Sequence, residues 1–206
     1  MTTHEMARGS GAIAILAGAL WCVLSIASLA TLDPERYLDV LFLAPFSLTL
    51  PVFVGLHLIQ RDHLGRLGRG AFWLSAGTMV AILIGQTGQV VGIDALVWLG
   101  FPVGFLGWLA GFALYGVATV RARVLPRWAG WALALSQPLA ILLGVAFSPI
   151  SPLADYGDYS GALAHGLVWM AMGWSLRTAH MGAIVATGAR GAAYLAPALK
   201  EADAVR

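Results

Sequence analysis

The sequence predicts an all-α integral membrane protein, a six-transmembrane-helix bundle with both termini cytoplasmic, built as three antiparallel helical hairpins. Three observations predict it. Six long apolar stretches occupy most of the 206 residues, and a helix needs about 20 such residues to cross a hydrocarbon core about 30 Å thick. Charged residues make up 11% of the chain and hydrophobic ones 59%, far from the roughly 25% charge of a water-soluble domain. The short loops between the stretches also alternate in charge.

The expected spans are Gly11–Thr31, Tyr37–Gln60, Gly70–Gly92, Ala95–Val120, Trp128–Ser148 and Ser160–Arg177. Arg61, Arg66 and Arg69 follow the second span, Arg121, Arg123 and Arg127 the fourth, and Arg177, Arg190 and Lys200 the sixth. The remaining loops hold Asp33, Glu35, Asp94, Asp155 and Asp158, with Arg36 their one cation. Lys and Arg concentrate in cytoplasmic loops, which puts the arginine-rich loops and both termini inside. A bacterial plasma (inner) membrane crossed several times is therefore the expected location. Residues 1–178 form the transmembrane domain, and 179–206 a cytoplasmic tail that is partly amphipathic or disordered. The net charge of +2 belongs to this topology, so no nucleic acid is expected as a partner.

The first span has a signal-peptide flavour, with Arg8 ahead of it and Ser28-Leu29-Ala30 at its end. Its apolar run is long for that role, and an uncleaved helix starting from Met1 is expected. The single cysteine, Cys22, rules out an intrachain disulfide and any CxxC site. The second span contains Pro45 and Pro51, the fourth Pro102 and the fifth Pro138, each a point where a helix tends to kink. Asp33 and Asp94 stand where they can cap the second and fourth helices.

Small residues give the packing. Gly100, Gly104, Gly107 and Gly111 share one face of the fourth helix, and Gly77, Ala81, Gly85, Gly88 and Gly92 a face of the third. Small stripes let membrane helices approach closely, and the two-residue link Ile93-Asp94 makes this pair antiparallel neighbours, the expected rigid centre. A fragment recurs in the odd spans at Ala14–Gly18, Ala81–Gly85 and Ala140–Gly144, with Leu-x-Arg-x-Ala-x-Trp upstream at Leu67–Trp73 and Leu125–Trp131. Three related hairpins would produce this pattern, and so would chance recurrence of common membrane residues.

Intramembrane polar residues are the functional candidates. Gln86 and Gln89 lie in the outer third of the third helix, His165 in the outer third of the sixth, and Asp39 at the mouth of the second. Phe42, Phe46 and Trp169 would supply an apolar wall, so Asp39, Phe42, Phe46, Gln86, Gln89, His165 and Trp169 form the candidate ligand site, with Asp155 or Asp158 at its rim. Interhelical hydrogen bonding is the competing account of the same polar groups. His57 sits 18 residues from Asp39, about 27 Å along a helix. It is thus in the other leaflet from His165, against a bis-histidine haem. An inner cluster of His57, Asp62, His63 and His180 has metal-ligand residue types, but arginines surround it and no metal is expected. Of the tryptophans, Trp21, Trp73, Trp98, Trp128, Trp131 and Trp174 read largely as interfacial belts.

Walker, GxSxG and strand-helix GxGxxG motifs are absent from the sequence, as is any lysine within a span, which excludes a retinal Schiff base. No cofactor is expected. Three functions remain. The first is a protein that binds or translocates a small hydrophobic or amphipathic ligand through an outward-facing cavity. In architecture alone, this arrangement resembles the substrate-binding subunits of energy-coupling-factor transporters. The second is an intramembrane enzyme acting on a lipid or isoprenoid, with Asp39 or Asp158 as acid and His165 as base. The third is a structural or regulatory subunit of a homo- or hetero-oligomeric complex. The lipid bilayer is a partner in all three.

Overall fold

The computed structural model describes residues 3–30, 35–147 and 161–178, and every element in them is helical. In chain order these are α1 (Thr3–Ala30), α2 (Glu35–Gln60), α3 (Gly65–Val91), α4 (Asp94–Trp98), a π-helical segment (Leu99–Gly104), α5 (Phe105–Ala122), α6 (Arg127–Phe147) and α7 (161–178). The α4–π–α5 run is one continuous stretch. Five stretches, Glu5–Ser28, Val40–Gln60, Gly65–Val91, Asp94–Ala122 and Arg127–Phe147, are long and apolar enough to cross a membrane. Such helices mark a membrane-embedded protein.

The helices outrun the apolar stretches that reveal them. The segment 61–69, expected as a loop, is helical from Gly65, and α1 begins at Thr3 rather than Gly11. Hydropathy reports where the hydrocarbon ends, whereas backbone hydrogen bonding carries a helix a turn or two beyond it. Asp94 does not cap its helix: the capping position is Ile93, with no side-chain hydrogen bond, and Asp94 instead sits in the first turn, where its charge favours the helix dipole. Pro45, Pro51 and Pro138 are all carried within helices. Pro102 coincides with the π segment, where a wider turn accommodates the missing N–H donor.

Backbones meet where glycine removes the side chain. Gly85 packs against Gly100, Gly88 against Leu96, Gly104 against Ile82, Gly107 against Thr78 and Gly111 against Ser75. Paired numbers run in opposite directions, so α3 and the π–α5 run are antiparallel. The fourth-helix stripe therefore faces a helix along its whole length. The third-helix face is Ser75, Thr78, Ile82, Gly85 and Gly88; Gly77 meets nothing within 4 Å, and Gly92 is the left-handed C-cap of α3 at φ 76°. Gly116 and Gly130 join α5 to α6, and Gly161 lies on Ala140 and Gly144 of α6.

A second glycine seam closes the bundle. Gly11 and Gly18 of α1 meet Gly173 and Gly166 of α7, and a methyl group added at Gly18 would stand 2.5 Å from the Gly166 carbonyl oxygen. The two pairs are each seven residues apart, two turns on both helices, so α1 and α7 fit along a common antiparallel line. The recurring fragment now has a physical meaning. Its terminal glycines Gly18, Gly85 and Gly144 each meet another helix. The most enclosed helix is α7 rather than the α3–α5 pair: over 161–178 only Leu167, Trp174, Arg177 and Thr178 are exposed.

Candidate functional site

The interior divides into two halves. Toward the arginine-bearing helix ends, Phe53 is stacked between Phe72 at 5.5 Å and Phe112 at 5.0 Å, with Tyr115 tilted against it at 4.6 Å. His57 stacks on the outer face of Phe72 at 3.8 Å. Phe53, Phe112 and Tyr115 are fully buried, and contacts between rings make up the core of this half. Asp62 and His63 beyond it are exposed, Asp62 pairing with Arg61. Among the described residues no three His, Cys, Asp or Glu side chains group as a metal site.

The opposite half holds a cavity of about 310 Å³, within the range of small-molecule sites. α1 contributes Trp21, α2 Phe42 and Phe46, and α3 Ile82 and Gln86. The π–α5 run contributes Phe101, Phe105 and Trp108, α6 Gln137, Ala140 and Ile141, and α7 Ala162 and His165. No Asp, Glu, Lys or Arg appears among these side chains.

His165 is the hub of this half. Its ring meets Trp21 edge-on at 5.2 Å and Trp108 at 4.9 Å. Trp169, one turn further along α7, donates its indole Nε1–H to His165 Nε2 at 2.7 Å. An indole nitrogen only donates, so Nε2 must carry the lone pair and the neutral ring must carry its proton on Nδ1. The side-chain amide of Gln137 lies 2.9 Å from Nδ1, with Nε2 facing it. In that rotamer two donors would meet. A half-turn of the amide, which exchanges atoms of nearly equal size, lets Oε1 accept from Nδ1–H. Trp169, His165 and Gln137 then form one directed chain across α7 and α6, and the Gln137 amide keeps two N–H donors that His165 does not use.

Other polar groups of the wall differ in their state. Trp21 donates Nε1–H to Thr49 Oγ1 at 3.2 Å and is satisfied. Gln86 Oε1 and Trp108 Nε1 are buried with no hydrogen-bond partner among the described residues, each at a cost of about 1–3 kcal/mol if left so.

Of the residues singled out from sequence, Phe42, Phe46, Gln86 and His165 lie together around the cavity. Trp169 stands behind His165 as its hydrogen-bond donor. Gln89 is half-buried and does not line the cavity; three residues advance a helix by about 300°, which swings it some 60° away from Gln86 and one turn nearer the helix end. Asp39 belongs to α2, but its side chain is outside the described residues, as are Asp155, Asp158, His180 and the 179–206 tail. Trp21, read as an interfacial residue, is 3% exposed and lines the cavity, whereas Trp73, Trp98 and Trp174 are each more than 60% exposed, as belts require. Gln137 went unnoticed in the sequence. Its signal is the polar pair Ser136-Gln137 in the middle of an apolar span, directly ahead of Pro138.

No protein-family model, no curated protein and no solved structure matches this chain.

Proposed function

We propose that this chain is a multi-pass plasma (inner) membrane protein of six crossings, arranged as three hairpins with both termini cytoplasmic. In that reading it binds a small, mainly apolar ligand with one uncharged polar end in the cavity of its outward half. One observation carries the ligand reading: an aromatic and aliphatic cavity whose described polar wall is limited to uncharged amide, imidazole and indole groups. A ligand bearing a full charge would lose its hydration there without gaining a counter-charge.

Two further observations bear on the alternatives. The one lone pair of His165 is engaged by Trp169, which weakens the acid–base enzyme reading, because a general base needs that lone pair free. Buried stacked rings at Phe53 lie between the cavity and the arginine-side helix ends, which supports binding over translocation in this conformation.

Native mass spectrometry of the purified full chain tests the binding. A retained small molecule should be released from the wild type and lost from Ala162→Phe, which fills the cavity, while the folded fraction of the variant stays close to wild type. Identical spectra from the two proteins would overturn the reading. Orientation is tested separately in a Cys22→Ser background. Cysteine at Asp94 should react with an impermeant reagent from outside and cysteine at Arg66 should not; external labelling at Arg66 would reverse the topology.

A further inference from the structure

The cavity wall has a buried end that carries its polar groups and a partly exposed apolar end. Its deep members His165 and Phe42 are 2% and 0% exposed, whereas Phe101 and Ile141 are 38% and 41% exposed. The exposed pair sits on two different elements. Phe101 belongs to the π segment, seven residues from the start of α4, and Ile141 to α6, six residues from its end. Both therefore lie roughly 10 Å below their helix ends, at a depth of hydrocarbon rather than of water.

The backbone explains why the wall opens there. α5 and α6 are locked together at Gly116, Gly130 and Ala134, nearer the arginine end. Farther along, the π segment is drawn onto α3, where Gly100 meets Gly85, while α6 is held to α7 where Gly161 meets Ala140. The two elements thus follow different partners, and the space between them is walled by Phe101 and Phe105 on one side and Ala140 and Ile141 on the other. A π segment widens a helix by one residue per turn and is a frequent mark of a functional site.

The polar inventory of the deep end is equally directional. Among the described residues, Trp108 offers an N–H with no acceptor, and the Gln137 amide, once its oxygen faces His165, offers two more. Gln86 adds an amide whose oxygen has no partner among the same residues. On the described wall donors exceed acceptors, and none of its side chains is charged.

We infer that the cavity is loaded sideways from the bilayer, between the π segment and α6, by a neutral lipid-phase molecule whose polar end is a hydrogen-bond-accepting hydroxyl or carbonyl. This rests on the ligand-binding reading above and adds to it the route and the head-group chemistry. The hydrocarbon body enters past Phe101 and Ile141, and the accepting oxygen reaches the donors at Trp108 and Gln137. A cationic or anionic head would have to cross the same apolar mouth and would find no partner of opposite charge on the described wall.

The test uses the full chain in lipid nanodiscs and indole fluorescence, since Trp21 and Trp108 both line the cavity. The probe is a long-chain alcohol carrying bromine near its hydroxyl, compared with the same brominated chain ending in trimethylammonium or in sulfate. The alcohol should produce a saturable quenching that disappears in the Trp21→Phe/Trp108→Phe variant, and the charged chains should bind at least tenfold more weakly. Ile141→Phe should slow the quenching severalfold with its final level preserved, and Phe101→Ala should speed it. Both positions are partly exposed, so folding should tolerate the changes, and a single size-exclusion peak checks this. Equal quenching by charged and neutral chains would overturn the head-group assignment while leaving ligand binding standing. Saturable quenching whose rate ignores both variants would overturn the lateral route. Absence of saturable quenching with every probe would overturn this inference together with the binding reading.

Discussion

Two histidines, one in each half of the bundle, show how differently the same residue type can be accommodated in a membrane interior. His57 lies flat on Phe72, and its buried Nδ1 has no partner among the described residues. His165 stands edge-on to two tryptophans and has both ring nitrogens engaged. Around His57 and Phe53 the phenylalanine rings stack nearly parallel; around His165 the tryptophans meet the ring at steep angles beside the cavity. Flat stacking fills volume as dispersion demands. Edge-on contacts, combined with fixed hydrogen bonds, hold rings apart. The lesson is that an intramembrane histidine marks a site when its hydrogen bonds are satisfied beside open space, and marks packing when its ring is merely a flat apolar surface.

The largest expected effect separates the two halves by packing. Phe53→Ala should destabilise the protein by about 3–5 kcal/mol, as for a fully enclosed ring. Phe46→Ala, whose ring already borders empty volume, should cost roughly half of that. Thermal unfolding in a single detergent would compare them, and equal losses would mean the cavity side is packed as tightly as the other. Next comes the histidine pair. His165→Phe strands the Trp169 N–H and the Gln137 amide and should cost about 1–3 kcal/mol per stranded group. His57→Phe removes a buried nitrogen with no partner among the described residues and should leave stability unchanged or raise it by about 1 kcal/mol. Reversed magnitudes would assign the structural role to the wrong histidine. The smallest effect is reserved for Gln89→Leu. This half-buried residue lies outside the cavity wall, and its replacement should shift stability by less than about 0.5 kcal/mol, with no change in probe quenching.

The same contrast explains what could be read from sequence. Spans were legible because hydrocarbon imposes a length and a composition on every crossing, as in Val40–Gln60 and Arg127–Phe147. The α3–α5 seam was legible because Gly100, Gly104, Gly107 and Gly111 share one helix and one face. By contrast, the α1–α7 seam joins Gly18 to Gly166 across almost the whole chain, and nothing in local periodicity announces a partner so distant. Gln86 and His165 were picked out as polar residues at matching depth, a quantity that follows from counting residues along each span. Which way a residue turns around its helix axis does not follow from depth. That is why Gln89 was grouped with Gln86, why Trp21 passed for a belt residue, and why Gln137 escaped notice beside a proline.

The seam between α1 and α7 also has a consequence for biogenesis. Helices enter the bilayer in the order of synthesis, and neighbours such as α1 and α2 can pair as soon as both have been released from the insertion machinery. The faces of Gly11 and Gly18 must wait for Gly166 and Gly173, which are made more than 140 residues later. Until then Trp21 and Thr49 are in place, but the histidine that completes their side of the chamber has not been made. This side of the chamber is therefore completed late, when α7 meets α1. A chain stopped short of α7 would leave a glycine-lined groove facing lipid, a ready mark by which a membrane protease could distinguish an incomplete product from a finished one.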